Sequence, residues 1–248
     1  MSSFWPLWKR EIGAYFLSPI AYVVTVFFLV VMGFSFWMLA SILAQGTEGV
    51  AVMNELFGSI FFWMAMMVVI PVITMRLFAE EKRSGTMETL MTAPVTDTAV
   101  VLAKFFGAWS FFVVMWLPTL GYAFILKRYS ALSAPVDFGP MASGYLGAFL
   151  LGGFYLSIGL FCTALTRNQI VAAISCFALI CMAFFAGFTP YLARTETLQD
   201  FGSYISSVEQ MLDFSRGAVD TRPIVLYLSG TALMLFATVK VVESRKWK

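Results

Sequence analysis

The chain has 248 residues, of which 60% are hydrophobic and only 12% are charged, and its formal net charge is +2. This composition lies far from that of soluble domains and indicates an integral membrane protein. It also gives no reason to expect nucleic-acid binding, because the positive residues are spread over loops and form no basic patch.

The first predicted element is a helix that lies along the membrane surface, in residues 1–19. Trp5 and Trp8 recur at helical spacing among other aromatic residues, and Lys9 and Arg10 lie between them. Trp favours the membrane–water interface, and a helix of this pattern lies in the interface rather than crossing the bilayer. Such a helix suits a simple anchor and a mechanical role equally well.

Six uncharged runs are long enough to cross a bilayer, which takes about 20 helical residues. They predict spans at residues 20–44, 56–75, 105–126, 142–166, 168–193 and 223–239. Pro71 and Pro118 are expected to kink the second and third spans. None of the six runs contains Asp, Glu, Lys or Arg, which disfavours an ion-driven secondary transporter but leaves sodium sites made of backbone carbonyls open. The predicted fold class is an all-α integral membrane protein.

The distribution of Lys and Arg predicts that both termini face the cytoplasm, because these residues tend to stay on that side. With this topology eleven of them lie inside and five outside. Residues 76–104 then form a cytoplasmic loop, and residues 194–222 form a loop on the opposite side.

The outer loop 194–222 is predicted to contain an amphipathic helix that Gly217 ends as a C-cap. The helix would either pack over the outer end of the bundle or dock an extracytoplasmic companion protein. The candidate contact residues are Phe201, Ile205, Val208, Leu212, Phe214 and Arg216.

The sequence contains no recognisable catalytic motif. It has no His, no phosphate-binding loop, no G-x-S-x-G and no pair of carboxylates within a span. Cys162, Cys176 and Cys181 all lie in predicted spans without C-x-x-C spacing, so they are expected to be free, buried thiols that bind no metal. The chain is therefore not expected to be an enzyme, and any uphill transport must draw its energy from a partner.

The most concentrated charges lie in the cytoplasmic loop, in the stretch FAEEKRSGTMETLMTAPVTD at residues 78–97. Gly85 interrupts a first charged turn, and residues 86–93 can then form about two helical turns before Pro94 stops them. Asp97 can cap the helix that continues into the third span. On these grounds alone, the stretch fits a short amphipathic helix and a plain solvated loop about equally.

The segment EEKRSGTMETLMTAPVTDTAVVLAK, residues 80–104, resembles the signature of the ABC-2 type transporter permeases. In that signature an acidic-basic cluster, a Gly-Thr pair, a Glu-x-Leu and a Thr-x-Pro precede the third span. The matching residues are Glu80, Glu81, Lys82, Arg83, Gly85, Thr86, Glu88, Leu90, Thr92 and Pro94. More narrowly, FSRGAVDTRPIVLYLS and the ending ESRKW are similar to the gliding-motility-associated branch of that family.

The resemblance implies a permease subunit in the inner membrane of a bacterium, paired with a second copy or a related permease. Two separate cytoplasmic ATPases would bind ATP and Mg, so this chain would hold no cofactor. Residues 86–93 would be the coupling helix in a cleft of the ATPase. The implied coupling residues are Glu80, Glu81, Arg83, Gly85, Thr86, Met87, Glu88, Leu90, Met91 and Pro94.

The function that this resemblance implies is ATP-driven export of a substrate across the membrane or its extraction from the membrane. The alternative is a membrane subunit that transports nothing and passes ATP-driven motion to an extracytoplasmic partner. The first predicts a substrate that stimulates ATP hydrolysis, and the second predicts a bound companion and no translocated solute.

Overall fold

A computed structural model describes residues 4–45, 52–85, 95–129, 137–188 and 202–244. Within these ranges the chain is helical and contains no strand. The helices are α1 (Phe4–Phe16), α2 (Pro19–Ala44), α3 (Val52–Gly58), α4 (Ile60–Thr74), α5 (Ala79–Ser84), α6 (Asp97–Trp116), α7 (Leu120–Tyr129), α8 (Phe138–Leu165), α9 (Gln169–Ala186), α10 (Ser207–Ser215) and α11 (Thr221–Ser244).

Six helical segments of the described chain are long and apolar enough to cross a membrane, which confirms the predicted number of spans. They are Pro19–Ala44, Ile60–Lys82, Asp97–Leu126, Phe138–Leu165, Gln169–Ala186 and Thr221–Ser244. The bundle has two ends. We call the end with α1 and α5 the near end, and the end with α3 and α10 the far end.

The second span begins later than the sequence predicts. Residues up to Gly58 form the separate helix α3, and Ser59 then starts α4 as its N-cap. The Ser59 hydroxyl accepts a hydrogen bond from the backbone N–H of Phe62 at 3.2 Å. This bond satisfies one of the free N–H groups of the new helix, so the chain changes direction at a serine that hydropathy alone does not mark.

The helix of the third span, α6, starts at Asp97, where the sequence predicts its start, ahead of the predicted apolar run that begins at residue 105. Its N-cap is Thr96 and not Asp97: the Thr96 hydroxyl accepts from the Ala99 N–H at 3.3 Å. As predicted, Pro118 interrupts this span, at a 3-10 turn formed by Leu117–Thr119. The helix therefore includes Lys104, just ahead of that apolar run, and this residue is 2% exposed.

Helix α8 is the central strut of the bundle and packs against α4, α6, α9, α10 and α11. Small residues on this helix allow the close approach. Gly152 faces the ring of Phe112, which leaves no room for a side chain, and a Cβ at Gly153 would lie 3.4 Å from the Trp109 indole nitrogen. Residues without bulky side chains thus let the membrane helices approach closely here.

Aromatic rings fill the core beside α8. Trp116 is fully buried, and its ring centroid lies 5.9 Å from those of Phe62 and Tyr145. The Tyr145 and Thr119 hydroxyls share a hydrogen bond of 2.7 Å next to these rings. Shape and aromatic contacts therefore hold the middle of the bundle.

Candidate functional site

Helix α5 carries the charged turn that follows the second span. It ends at Ser84, and Gly85 then adopts a left-handed conformation with φ of +75°. A glycine reaches this region without steric cost, so it ends the helix where the sequence predicts an interruption. Three of the charged side chains on and before this helix are held by other parts of the bundle.

Glu81 of α5 binds Lys104 of α6 in an ion pair of 2.7 Å. The ammonium group of Lys104 also lies 3.3 Å from a carboxylate oxygen of Glu11 in α1. Lys104 and Glu11 are both buried, with exposed fractions of 2% and 8%. A buried Lys is stable in its charged form only beside such partners, so these three residues fix three helices to one another.

Arg10 completes this group at its solvent-facing edge. Its guanidinium lies 2.9 Å from the Glu11 carboxylate and 3.6 Å from that of Glu81. Two positive and two negative side chains thus meet in what we call the buried ion cluster, which consists of Arg10, Glu11, Glu81 and Lys104. Its formal charges cancel, as burial of several ions in one place requires.

Two further residues support the buried ion cluster: one makes room for it, and the other stabilises its buried cation. Gly107 lies under Glu11, and a Cβ at this position would be only 2.8 Å from the Glu11 Cβ. The ring of Phe78, fully buried at the start of α5, has its centroid 5.3 Å from the Lys104 ammonium group. The negative face of the ring adds to the stabilisation of the cation.

Lys82 of α5 is bound to the end of α8. Its ammonium group donates hydrogen bonds to the carbonyls of Thr163 at 3.1 Å and of Ala164, and a longer one to Thr166 at 3.5 Å. The last carbonyls of a helix have no partner within the helix and carry a partial negative charge. Lys82 therefore caps α8 and connects α5 to the central strut.

Arg76 and Tyr15 connect the end of α4 to the N-terminal part of the chain. The Arg76 guanidinium donates to the Ser18 hydroxyl at 3.0 Å, and the Tyr15 hydroxyl donates to the carbonyl of Ile73 at 3.0 Å. Burial raises the pKa of Tyr15 above its ordinary range, and the negative charge of Glu11 adds to that effect. Tyr15 therefore stays a neutral donor at all ordinary pH values.

A cavity of about 450 Å³ opens beside the buried ion cluster, between α1 and the near ends of α2 and α4. Its lining combines charged and polar side chains with apolar ones. The lining residues are Arg10, Glu11, Ala14, Tyr15, Ser18, Ile20, Ala21, Val24, Val72, Ile73, Arg76, Leu77, Glu80, Glu81, Lys104 and Phe111.

The predicted coupling residues divide into anchored ones and ones outside the described part of the chain. Glu81 belongs to the buried ion cluster, and Glu80 lies 3.6 Å from Arg76 across one helical turn. Arg83 and Gly85 form the last turn and the end of α5. The residues outside the described ranges are Thr86, Met87, Glu88, Leu90, Met91 and Pro94.

The N-terminal helix α1 forms over the predicted residues and packs along α6. Trp5 is 54% exposed and lies against Trp8 with a ring distance of 4.8 Å, and the Lys9 ammonium lies 5.1 Å from the Trp5 ring. Arg10 belongs to the buried ion cluster. One face of α1 is thus exposed, and the other is fixed to the bundle.

Glu11 and Lys104 are site residues that were not predicted from the sequence. A signal for both was present: each shares a helical face with aromatic residues, Glu11 with Trp8 and Tyr15, and Lys104 with Phe111 two turns further on. A single charged residue on an otherwise apolar helical face indicates a buried ion, although the pattern does not identify the partner of that ion.

At the far end, helix α10 covers the bundle. It begins after the N-cap Ser206, so the predicted helix is interrupted after Ile205. Gly217 ends it at φ +89°, with hydrogen bonds from Gly217 N–H to the Phe214 carbonyl and from Ala218 N–H to that of Asp213. This pair of hydrogen bonds is typical of a glycine C-cap, which confirms the predicted end of the helix.

The position of Phe214 corrects the prediction that this residue contacts a companion protein. Its side chain is 1% exposed, and its ring fills a notch at Gly147, where a Cβ would lie 2.8 Å away. Ser143 fixes the same turn by donating to the Phe214 carbonyl at 2.6 Å. Phe214 therefore packs inside the bundle and is not available to a companion protein.

The remaining predicted contact residues lie on or next to α10. Ile205, Val208 and Leu212 are half-buried, and Arg216 is exposed. Phe201 lies outside the described residues.

The sequence matches the model of a protein family described as ABC-2 family transporter protein, over residues 41–237. This match covers most of the chain and includes α5 and Lys104, while α1 precedes it. A search of curated proteins finds no match. With six apolar helices and a match of this length, the chain belongs to the ABC-2 family of transporter proteins.

Proposed function

We propose that this chain is the permease subunit of an ATP-binding cassette transporter and couples ATP hydrolysis by a separate ATPase to export or extraction of a substrate. The observation that carries the proposal is the anchoring of α5. Glu81 ties it to α1 and α6 through the buried ion cluster, and Lys82 ties it to α8. A displacement of the segment that follows α5 would be transmitted to these helices.

In this proposal the loop that contains α5 faces the cytoplasm, as do both termini, and the membrane is the bacterial inner membrane. The partners are a dimer of ABC-type ATPases, which bind ATP and Mg, and a second permease that is either a copy of this chain or a related one. Membership of the ABC-2 family supports the ATPase partnership. This chain performs no catalysis of its own.

The segment 86–94 would bind the ATPase, with Leu90 as one of its apolar anchors. Ionic contacts at an exposed surface are individually weak, typically below about 1 kcal/mol. The apolar contacts would therefore hold the two proteins together, and the buried ions of α5 would carry the motion into the bundle.

Purification of the tagged chain from its native membranes, followed by mass spectrometry, tests the proposal. We expect a soluble ATPase in the wild-type sample and its loss from Leu90→Asp. Val219→Asp is the matched control, because Val219 is 52% exposed and lies at the far end. Equal recovery of the ATPase with both variants, or no ATPase even after cross-linking, would contradict the proposed coupling role.

A second candidate function is supported by the position of α8. Its C-terminal carbonyls bind Lys82 at the near end, and its N-terminal part holds Phe214 through Gly147 and Ser143 at the far end. Motion of this strut would displace α10, so the chain could pass ATP-driven motion to an extracytoplasmic companion. A companion protein in the purified sample, without any solute that stimulates ATP hydrolysis, would favour this candidate over transport.

A further inference from the structure

The cavity beside the buried ion cluster has a charged rim and an apolar floor. Arg76 and Glu80 lie at its rim, where Glu80 is exposed, while Ala21, Val24 and Phe111 form a buried floor. Its volume of about 450 Å³ falls in the range of pockets that hold small ligands. An amphiphilic ligand with a charged head and an apolar tail matches this division.

The position of the cavity matches a membrane lipid. Its rim lies where α2 begins after Ser18 and where α4 ends before Arg76. Val24 lies about 8 Å further along α2, at 1.5 Å per residue, within the apolar part of the span. A glycerophospholipid in the same leaflet places its phosphate at the depth of the cavity rim and its acyl chains at the depth of Val24.

The charges of the rim select the head group. The cluster cations Arg10 and Lys104 already face the two cluster carboxylates, which leaves Arg76 and Glu80 as the outer pair of opposite sign. A guanidinium has five N–H donors, and one of those of Arg76 binds Ser18. The buried Nε of Arg76 has no hydrogen-bond acceptor among the described residues, and the Glu80 carboxylate lies 3.6 Å from it.

We infer that this cavity binds a zwitterionic glycerophospholipid whose head group carries a phosphate and an ammonium group, such as phosphatidylethanolamine. The Arg76 guanidinium binds the phosphate, because its planar donors match phosphate oxygens, and the Glu80 carboxylate binds the ammonium group. One acyl chain lies on the floor at Val24. A purely anionic lipid would bring its charge next to the Glu80 carboxylate, and like charges repel. The inference does not depend on the proposed coupling to an ATPase.

Native mass spectrometry of the delipidated full chain in detergent tests this inference. We expect phosphatidylethanolamine to bind more tightly than phosphatidylglycerol with the same acyl chains, and Arg76→Gln to weaken its binding roughly tenfold or more, as loss of a charged hydrogen bond does. Arg222→Gln is the matched control, because Arg222 is exposed and lies at the far end. Equal binding of the two lipids, or equal binding by the two variants, would overturn the inference.

A second variant keeps the test decisive if Arg76→Gln does not fold. Ala14 lines the cavity from an exposed position, so Ala14→Trp blocks the cavity without entering the core. We expect this variant to lose phosphatidylethanolamine as well. Phosphoethanolamine, which has no acyl chains, distinguishes a lipid site from a site for a free phosphate compound. We expect it to bind at least tenfold more weakly than phosphatidylethanolamine. Binding as tight as that of the lipid would overturn the assignment to a lipid.

Discussion

The two ends of the bundle are held together by different interactions. At the near end, α5 is fixed by ionic contacts: Glu81 and Glu11 surround Lys104, and Lys82 binds the last carbonyls of α8. At the far end, α10 is fixed by shape and neutral hydrogen bonds, with Phe214 in the notch at Gly147. Ionic contacts depend on charge and on paired partners, whereas a packed notch depends on volume.

This difference indicates a division of work along α8. The near end connects helices from distant parts of the sequence through charges, and in the proposed function these charges receive the motion of the ATPase. We expect the far end to follow α8, because its contacts with α10 tolerate little change of shape.

Lys104→Met should have the largest effect. It leaves the carboxylates of Glu11 and Glu81 buried without their shared cation, and loss of one partner of a buried ion pair costs about 3–5 kcal/mol. We expect a much lower thermal unfolding temperature in detergent. The triple variant with Glu11→Gln and Glu81→Gln should recover most of the stability, and a triple variant as unstable as Lys104→Met would show that the buried charges are not the cause.

Gly147→Val should destabilise the far end by about 1–3 kcal/mol, the usual cost of overpacking. The new side chain would occupy the space of the Phe214 ring. Combination with Phe214→Ala should restore part of the stability, because the smaller residue vacates the notch. Additive losses in thermal stability, with no restoration, would contradict the packing described for this end.

Lys82→Met should cost about 1–2 kcal/mol, because it leaves the last carbonyls of α8 without their cationic cap. Met keeps the apolar length of the side chain, so the change isolates the charge. Thermal unfolding should show the loss, and Lys240→Met is a suitable control because Lys240 is exposed near the end of α11 and pairs with Glu243 one turn along the same helix. An equal, small effect of both substitutions would argue against the cap.

Alkaline pH should weaken the contact between α1 and α4 by the smallest amount. Burial raises the folded-state pKa of Tyr15 above its value of about 10 in an unfolded chain, and Glu11 adds to this shift. The stabilisation is therefore complete below pH 10 and falls as pH rises above it, by less than about 1.4 kcal/mol per pH unit. Between pH 9 and about 11, the thermal unfolding temperature should fall more steeply for wild type than for Tyr15→Phe. Parallel curves for the two proteins would show that Tyr15 does not cause the loss of stability.

The features that depend on composition and on local turn residues could be predicted from the sequence. The number of spans, the break at Pro118 and the helix ends at Gly85 and Gly217 all follow from hydropathy or from residues that favour one backbone conformation. Each of these signals lies within a few residues of the feature that it marks.

The buried ion cluster could not be read from the same signals, since it depends on contacts between distant segments. Glu11 and Lys104 are 93 residues apart, and hydropathy places both at the margins of spans rather than in a core. The helix start near Asp97 was predicted, but the burial of Lys104 in this helix was not, because its charge ends the apolar run and its partners lie on other helices. A buried charge is stable only beside its partners, and those partners become visible only when the helices are packed together.

The most direct test of the proposed coupling measures whether ATP moves α8 through Lys82. Spin labels at Leu17 and Leu165, which are 86% and 54% exposed at the near end, report the distance between the start of α2 and the end of α8. The purified complex with its ATPase would be measured by pulsed electron paramagnetic resonance, after Cys162, Cys176 and Cys181 are replaced by Ala. We expect an ATP-dependent change in this distance in wild type and its loss in Lys82→Met with the ATPase still bound. The same change in both proteins would contradict the proposed coupling.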